Sequence, residues 1–206
     1  MWHGHPKFYQ SLWHSISPLL YKLDFFGIWG SNLEWVKSGI TQRSQYAVLN
    51  GSSSDHEEVK SGVPQGTMLG PFMFLIFIGD ISEQTQSLKR LFADDCLLYR
   101  TINKISDSAA FQQDMDLLCK WTTIWQMQFN EIKCFFLRKS SRNKKSDYSY
   151  SVNNVELKSR SHDSYLGVAI QNDLKWSRHI NHVTTKANKL FGCLRRKKTW
   201  QSVRKR

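Results

Sequence analysis

The stretch KRLFADDCLLYR, residues 89–100, sets two adjacent aspartates between two short apolar runs. These runs predict a β-hairpin with Ala93, Asp94 and Asp95 at its bend. Aspartate is common in turns because its side chain bonds nearby backbone groups. Here, however, the flanking apolar strands would place the carboxylates at the tip of a buried hairpin, where unpaired charge is unfavourable. The stretch is therefore either an ordinary turn or a site that holds a cation.

Two carboxylates on a rigid hairpin suit a hard divalent cation. Mg²⁺ prefers carboxylate oxygens and usually completes its coordination shell with substrate phosphates. Two such ions can clamp the attacking and leaving oxygens of a phosphoryl or nucleotidyl transfer. The hairpin therefore predicts a metal platform for that class of reaction, with Asp94 and Asp95 as the ligands.

The segment before the hairpin, SGVPQGTMLGPFMFLIFIGDI at residues 61–81, predicts a loop followed by a helix. The helix is apolar on every side, which favours a helix buried under a sheet. Thr67 is its predicted cap, and Pro71 falls in the first turn, where a missing N–H is tolerated. The loop would place Gln65 near the helix N-terminus, a position that suits an anionic ligand.

The other patterns predict a mixture of helices and hairpins. Residues 19–40 form two helical segments that break around Gly27 and Gly30. The remaining elements are a hairpin over 45–60 with its turn at 50–55, a helix over 109–130, a strand over 133–139, a hairpin over 151–158 with an Asn-Asn turn, a short strand over 164–170 and a helix from 173 onward. Because most connections are hairpins, the predicted fold class is α+β.

Composition limits the partners and the compartment. The 206 residues carry 29 Lys+Arg against 17 Asp+Glu, a formal net charge of +12, which indicates a polyanion such as nucleic acid or simply a soluble basic protein. The four cysteines form no C-x-x-C pair, so we expect a reducing compartment. The N-terminus lacks the apolar core of a signal peptide, and the longest apolar run, residues 68–79, is too short to cross a bilayer. We expect an intracellular protein, nuclear or cytoplasmic, without a membrane partner.

Four segments carry a family resemblance: residues 61–81, LFADDCLLYR at 91–100, WTTIWQMQFNEIKC at 121–134 and SYLGVAIQNDLKWSRHINHVTTKANKLFGCLRR at 164–196. In this order they resemble the reverse transcriptase of non-LTR (long interspersed, jockey-like) retrotransposons, over nearly the whole chain. The resemblance implies an RNA-directed DNA polymerase that uses Mg²⁺ or Mn²⁺, an RNA template, a DNA primer and deoxynucleotides.

The resemblance also implies an architecture. The chain would be a truncated copy of a right-hand polymerase palm, with an antiparallel sheet and packed helices, the fingers largely missing and only the start of a helical thumb. The implied divisions are 1–60 for residual fingers and the first part of the palm, 61–170 for the palm, and 171–206 for the start of the thumb and a basic tail. The oligomeric state stays open.

The resemblance assigns roles to several residues. Asp94, as principal ligand, and Asp95 would bind the metal, and Lys133 would help protonate or neutralise the leaving pyrophosphate. The residues that would contact template, nucleotide or primer are Pro64, Gln65, Gly66, Phe92, Ala93, Tyr165, Leu166 and Gly167.

Each of these roles has an ordinary structural alternative. Gln65 would satisfy backbone groups of its own loop, and Lys133 would be a solvated lysine at a strand end. Tyr165, Leu166 and Val168 are predicted core residues in either case. The basic runs RKSSRNKK (138–145) and RRKKTWQSVRKR (195–206) are solvated charge, nuclear-import signals or, for the second, contacts to phosphate backbone.

One element of the resemblance is missing. In the family, a third metal-binding carboxylate comes from a segment of the form AFDxVxH shortly before LLYKL. Here that place reads QSLWHSISPLLYKL, with His14 where the aspartate would stand. Neutral imidazole is a softer donor without charge and cannot replace a bridging carboxylate on Mg²⁺. Asp24 and Asp55 are no convincing substitutes, so we expect poor or absent polymerisation; the alternative is a non-catalytic remnant that binds nucleic acid.

Overall fold

A five-stranded sheet with helices on one face forms the framework of the molecule. The computed structural model describes residues 2–4, 16–59, 62–64, 66–83, 85–139 and 148–203. In chain order its helices and strands are β1 Trp2–Gly4, α1 Ser17–Phe25, α2 Ser31–Ile40, β2 Arg43–Gln45, β3 Val48–Leu49, β4 Ser52–Ser53, β5 Glu57–Val59, α3 Leu69–Ile78, β6 Leu88–Phe92, β7 Asp95–Arg100, α4 Ile105–Ile124, β8 Phe135–Arg138, β9 Ser151–Val152, β10 Val155–Glu156, β11 Lys158–Arg160, β12 His162–Tyr165, β13 Val168–Gln171 and α5 Ser177–Val203. Short 3₁₀ turns cover Gly79–Ser82 and Glu131–Lys133.

The strand order of the main sheet is β11-β8-β1-β7-β6. Its central strand is β1, which pairs antiparallel with both neighbours, so that Gly4 stands opposite Leu98 on β7 and Phe136 on β8. The hairpin β6–β7 closes one side of the sheet, and β11 runs parallel to β8 on the other. The sequence patterns did not predict β1, because three residues are too few to show a period.

The core lies between this sheet and helices α1, α3 and α4. Along β7 the side chains of Cys96 and Leu98 point into it, together with Phe136 from β8. From α4 they meet Phe111, Met115, Leu118 and Trp121. Because side chains alternate along a strand, Asp95, Leu97 and Tyr99 point to the opposite face of the sheet. The catalytic candidate Asp95 therefore lies on the face away from the helices.

A buried cation ties α1 to α3 and α4. The ammonium of Lys22 lies 2.5 Å from Asp80 Oδ1, donates to the carbonyl of Phe77, and sits 3.9 Å from the ring centroid of Trp125. Trp121 Nε1 donates to the same Asp80 oxygen at 3.2 Å. Burial lowers the pKa of Lys22, and the hydrogen bond with Asp80 opposes that shift. The charge is thus held by a carboxylate, a carbonyl and aromatic rings.

A buried carboxylate fixes α4 to the base of the β6–β7 hairpin. Asp114 accepts hydrogen bonds from the backbone N–H groups of Gln86 at 3.0 Å and Ser87 at 2.8 Å, and from the hydroxyl of Ser87. Arg100, at the far end of β7, contributes an ion pair at 3.2 Å. Since both strands of the hairpin are held at this end, their other end is presented as a rigid turn.

The expectation of a fully buried helix over residues 68–79 was wrong in one respect. Met73 and Phe77 of α3 are buried, but Phe72 and Leu75 are exposed, and Met68 just before the helix is 94% exposed. Because the sequence of α3 is apolar on every side, its pattern does not indicate which face packs against the rest of the protein. Thr67 does act at the helix start, since its hydroxyl accepts the N–H of Gly70 at 3.1 Å.

Other expectations for the fold were confirmed. The two helical segments break where Gly27 and Gly30 adopt positive φ of 87° and 63°. The hairpin over 45–60 is a nested pair, β2 with β5 and β3 with β4, and its tight turn is at Asn50 and Gly51. The mixture of helices and mainly antiparallel strands agrees with the α+β class. Among the described residues, no helix combines the length and the apolar character needed to cross a membrane.

Candidate functional site

The predicted hairpin is present, with a two-residue turn at its tip. Phe92 pairs with Asp95, so Ala93 and Asp94 form the turn. Ala93 has a φ of 47°, a left-handed conformation that a residue with a Cβ rarely adopts. Such strain persists where the surrounding structure enforces it, and it is frequent at functional sites. The side chains of both aspartates are partly buried.

One side of the site faces the apolar core, and the other faces the phenol of Tyr165. Cys96, next to Asp95, points into the core, and its full burial raises the pKa of its thiol to about 12. That thiol is therefore neutral and contributes packing, not chemistry. On the other side, burial and then the negative charge of Asp95 raise the pKa of Tyr165. The phenol of Tyr165 therefore lies within electrostatic range of the Asp95 carboxylate.

The segment YLGV forms a hairpin, not the single strand that the sequence analysis predicted. Strands β12 and β13 pair antiparallel, and the turn falls at Leu166 and Gly167, with φ of 48° and 82°. Two consecutive positive φ values are typical of tight hairpin turns, for which glycine is favoured. The prediction that Leu166 is a core residue was therefore wrong: it is 50% exposed at the turn. Tyr165 and Val168 are only partly buried.

This second hairpin lies on the sheet face that carries Asp95. A shallow groove between them is lined by Leu97, Phe135 and Leu137 of the sheet and by Ser164, Tyr165 and Ile170 of the hairpin. At its border, Arg160 pairs with Asp163 at 3.4 Å and stacks over Phe135 with 4.2 Å to the ring centroid. The YLGV segment and the aspartate hairpin are therefore neighbours.

Phe92 was a predicted site residue, but its neighbours on that face, Leu88, Arg90 and Tyr99, were missed by the sequence analysis. Leu88, Arg90 and Phe92 alternate along β6 and are exposed there, and Arg90 lies 5.8 Å from the ring centroid of Tyr99. The signal that could have found them is the alternation within LKRLF beside the turn. The face combines arginine with aromatic side chains near the two aspartates.

The PQG loop is held by local contacts. The carbonyl of Pro64 accepts the hydroxyl of Thr67 at 2.9 Å, and Gly66 has a φ of 76°. A Cβ at Gly70 would lie 2.5 Å from the carbonyl oxygen of Pro64, so glycine is required for the loop to pack on the first turn of α3. Gln65 lies outside the described residues.

The lysine candidate sits at a strand end. The side chain of Lys133 is exposed, while its backbone N–H is tied to the Asn130 side chain at 3.3 Å. Asn130 is buried and organises the 3₁₀ turn before β8. Its exposure agrees with the alternative of a solvated lysine. Because Gly4 of β1 stands opposite both Leu98 and Phe136, Lys133 just before β8 lies at the same end of the sheet as Asp95 at the start of β7, two strands away.

We next asked whether any described residue supplies the third metal-binding carboxylate that the family resemblance implies. Among the residues that the structure describes, no group of three His, Cys, Asp or Glu side chains is arranged to hold a metal ion. The strand beside β7 is β1, which contributes Trp2, His3 and Gly4, and the first acidic residue of the chain is Asp24. Asp24 lies exposed on α1, and Asp55 lies exposed between β4 and β5. His14 falls outside the described residues.

The ligand atoms present limit which metal ions this site can bind. Two adjacent carboxylates supply hard oxygen ligands, which fit one divalent cation whose shell is completed by water and phosphate. They do not supply the further carboxylate that would bridge two ions. The described residues therefore fit part of a metal site.

A comparison of the sequence with protein-family models matches residues 6–170 to the reverse transcriptase (RNA-dependent DNA polymerase) family. The chain belongs to this family. The resemblance that the four motifs indicated is thereby confirmed.

Curated relatives agree with this assignment. The chain is 26% identical over 157 residues to the RNA-directed DNA polymerase from mobile element jockey of Drosophila melanogaster, covering 72% of this chain and 17% of the relative. The jockey protein of Drosophila funebris is 27% identical over 186 residues, which are 85% of this chain and 19% of the relative. The probable RNA-directed DNA polymerase from transposon BS of Drosophila melanogaster is 25% identical over 193 residues, which are 85% and 20% of the two chains. The chain thus spans about a fifth of the length of these relatives.

Proposed function

We propose that this chain is the palm segment of a retrotransposon reverse transcriptase, that it holds primed RNA template, and that alone it polymerises poorly or not at all. The observation that carries the proposal is the rigid turn with Asp94 and Asp95 beside a strand, β1, that bears no carboxylate. Membership of the reverse transcriptase family supports the choice of reaction.

The residues take the following roles in this proposal. Asp94 and Asp95 hold a divalent cation, Mg²⁺ or Mn²⁺, which would neutralise charge on the phosphates of a deoxynucleotide. Phe92 and Ala93 shape the turn, and Tyr165 to Gly167, on the neighbouring hairpin, border the primer end. Pro64, Gln65 and Gly66 contact template and nucleotide, and Lys133 stays a candidate acid. Residues 61–170 act as the palm, 1–60 as residual fingers and the first part of the palm, and 171–206 as the start of the thumb and a basic tail.

The missing carboxylate predicts the weakness of the reaction. Removal of one electrostatic partner from a preorganised site typically costs about 3 kcal/mol or more of transition-state stabilisation. Because each 1.4 kcal/mol is about tenfold in rate, such a loss reduces the rate by a factor on the order of a hundred or more.

A second candidate function is a non-catalytic module that binds nucleic acid. It is favoured by two exposed arginines, Arg90 beside the partly buried ring of Tyr99 and Arg160 over the buried ring of Phe135, and by the net charge of +12. Phosphate neutralisation and base stacking need no metal site. An intracellular location is part of both candidates.

Primer extension separates the two candidates. The full chain is given a primed RNA template, deoxynucleotides and Mg²⁺ or Mn²⁺, beside Asp94→Asn and the matched variant Asp116→Asn, which changes an exposed aspartate on α4. We expect weak extension at most, abolished by Asp94→Asn and kept by Asp116→Asn. Extension at the rate of a complete polymerase would contradict the proposed weakness.

Binding of the same primed template is measured across salt concentrations. We expect salt-sensitive binding shared by all three proteins, because phosphate contacts come from Lys and Arg. Binding without any detectable extension would favour the non-catalytic module, and no binding at low salt would exclude both candidates.

A further inference from the structure

Arg90 lies close to the aspartate turn, on the face of the main sheet that the helices leave open. On β6 it stands opposite Leu97 of β7, and Phe92 stands opposite Asp95. Residues that oppose each other across two strands share one side of the sheet, so Arg90 and Asp95 are diagonal neighbours, about 7–8 Å apart. A cationic side chain and a candidate metal ligand therefore share one surface of this hairpin.

The guanidinium of Arg90 is oriented by two contacts and keeps most of its hydrogen-bond donors. Its Nη1 donates to the carbonyl of Lys89 at 2.8 Å, and its Cζ lies 5.8 Å from the ring centroid of Tyr99. Arg100 and Arg160, by contrast, pair with carboxylates at 3.2 and 3.4 Å. Within the described part of the chain, Arg90 has no such ion pair. Because the planar fork of a guanidinium matches phosphate oxygens, this side chain suits a phosphate ligand.

The hairpin β12–β13 brings a phenol to the same place. Burial is the main reason why the pKa of Tyr165 is raised; the charge of Asp95 raises it further, and the charge of Arg90 lowers it. The phenol is thus within electrostatic range of both charged groups. Arg90, Asp95 and Tyr165 therefore border one patch of the surface, between the aspartate turn and the second hairpin.

We propose that Arg90 binds a backbone phosphate of the DNA primer next to its 3′ end. This inference rests on the proposed function, in which Asp94 and Asp95 hold a divalent cation and Tyr165 to Gly167 border the primer end. A primer that ends at the aspartates and runs along the second hairpin brings its last phosphates to Arg90, because this arginine lies beside both.

Phe92 completes the contact with a single nucleotide. Its ring is 58% exposed on the same face as Arg90. The two residues are one apart along β6, which separates them by about 7 Å at 3.4 Å per residue. Aromatic rings stack on any base, and arginine neutralises phosphate whatever the sequence. Phe92 and Arg90 together thus suit the base and the phosphate of a primer end of any sequence.

Primers with one uncharged linkage test this contact. A primed RNA template is prepared with a DNA primer whose last linkage is a methylphosphonate, or with the same uncharged group far from the primer end. Dissociation constants are measured for the full natural chain and for Arg90→Gln, with Mg²⁺, first without and then with a deoxynucleotide. Circular dichroism checks that each protein is folded.

Arg160→Gln is the matched control. It makes the same change at an exposed arginine on β11, at the other edge of the sheet and four strand spacings, about 19 Å, from β6. Its total affinity for the primed template is free to change. The decisive quantity is the ratio between its affinities for the charged and the uncharged primer ends, which the Arg160 substitution should leave as in the natural chain.

We expect the uncharged last linkage to weaken binding by the natural chain roughly tenfold, because a charge-assisted contact is lost. The distant uncharged linkage should have a smaller effect. Arg90→Gln should bind the ordinary primer roughly tenfold more weakly than the natural chain, and it should lose nothing further when the last linkage is uncharged. Arg160→Gln should keep the tenfold ratio between the two primer ends.

Independent losses from Arg90→Gln and from the uncharged last linkage would overturn the proposal, since the two groups would then not touch. A loss in Arg90→Gln that appears only with deoxynucleotide would also overturn it and assign the arginine to the triphosphate. Equal binding of the two uncharged primers by the natural chain would overturn it without any variant. If the natural chain bound no primed template at all, the proposed function would fail, and this inference with it.

Discussion

Helices α4 and α5 are the two longest in the molecule, and they use their apolar faces in opposite ways. On α4, Phe111, Met115, Leu118 and Trp121 are buried against the sheet and helices α1 and α3. On α5, residues at comparable spacing remain exposed. Both patterns predict a helix, and both helices form. The comparison teaches that periodicity specifies the helix, whereas burial depends on a partner surface that other parts of the chain must supply.

The largest expected difference comes from the same substitution in the two helices. Leu118 is 2% exposed and Leu190 is 63% exposed. We expect Leu118→Ala to lower the free energy of unfolding by about 3 kcal/mol, because it leaves a cavity in the core. Leu190→Ala should change it by about 0.5 kcal/mol or less at low protein concentration. Urea unfolding followed by circular dichroism measures both changes. Equal losses of unfolding free energy in the two variants would contradict the difference in burial between α4 and α5.

A smaller effect is expected from the polar anchor of α4. Asp114→Asn replaces an acceptor that receives two backbone N–H groups, a hydroxyl and an ion pair with Arg100. We expect the free energy of unfolding to fall by about 2 kcal/mol, since buried donors lose their partner. Asp116→Asn, on the exposed side of the same helix, is the control. If Asp114→Asn and Asp116→Asn unfolded at the same urea concentration, the contacts of Asp114 would not stabilise the fold.

The smallest effect concerns the helix starts. α4 has Asp107 in its first turn, which accepts the N–H groups of Asn103 and Lys104 at 2.9 Å each, whereas α5 has no acidic residue there. The hydrogen bond from Asn103, then that from Lys104, lowers the pKa of Asp107 below its usual 3.8. The stabilisation is therefore complete above pH 3.8 and is lost as the pH falls through the lower folded-state value.

We expect Asp107→Asn to be slightly less stable than the natural chain near neutral pH, and this difference to vanish in acid. Urea midpoints of both proteins across the acidic range provide the measurement. A difference that grows as the pH falls would show that the carboxylate acts in some other way.

Local patterns predicted the elements that local residues determine. The hairpin at 89–100, the break at Gly27 and Gly30 and the Asn153-Asn154 turn were all predicted, because apolar runs and turn residues lie within a few positions of each other. The aspartates were placed at the hairpin tip for the same reason. The left-handed pair Leu166-Gly167 was predicted to be strand. Glycine is common in turns, but leucine rarely adopts positive φ, so the pair did not indicate a turn.

Long-range arrangements were not predictable from one sequence. Nothing in the residues of β1 indicates that they would lie between β7 and β8, because their partners stand about a hundred residues or more along the chain. The exposed side of α3 and the need for Gly70 against Pro64 likewise depend on which segments pack together. The face with Arg90 and Tyr99 became visible only when strand register was known.

The position of β1 has a consequence for the order of folding. Trp2 pairs with Arg100 and with Arg138, so the centre of the sheet joins residues 2–4 to segments about a hundred residues or more further along the chain. Contacts of such high sequence separation form slowly, because a long loop must close first. During synthesis the β6–β7 hairpin can form early from adjacent residues, yet its strand β7 keeps an open edge until residues 2–4 dock. In that interval the unpaired edge of β7 is open to pairing with the wrong strand, whereas in the finished sheet β1 covers it.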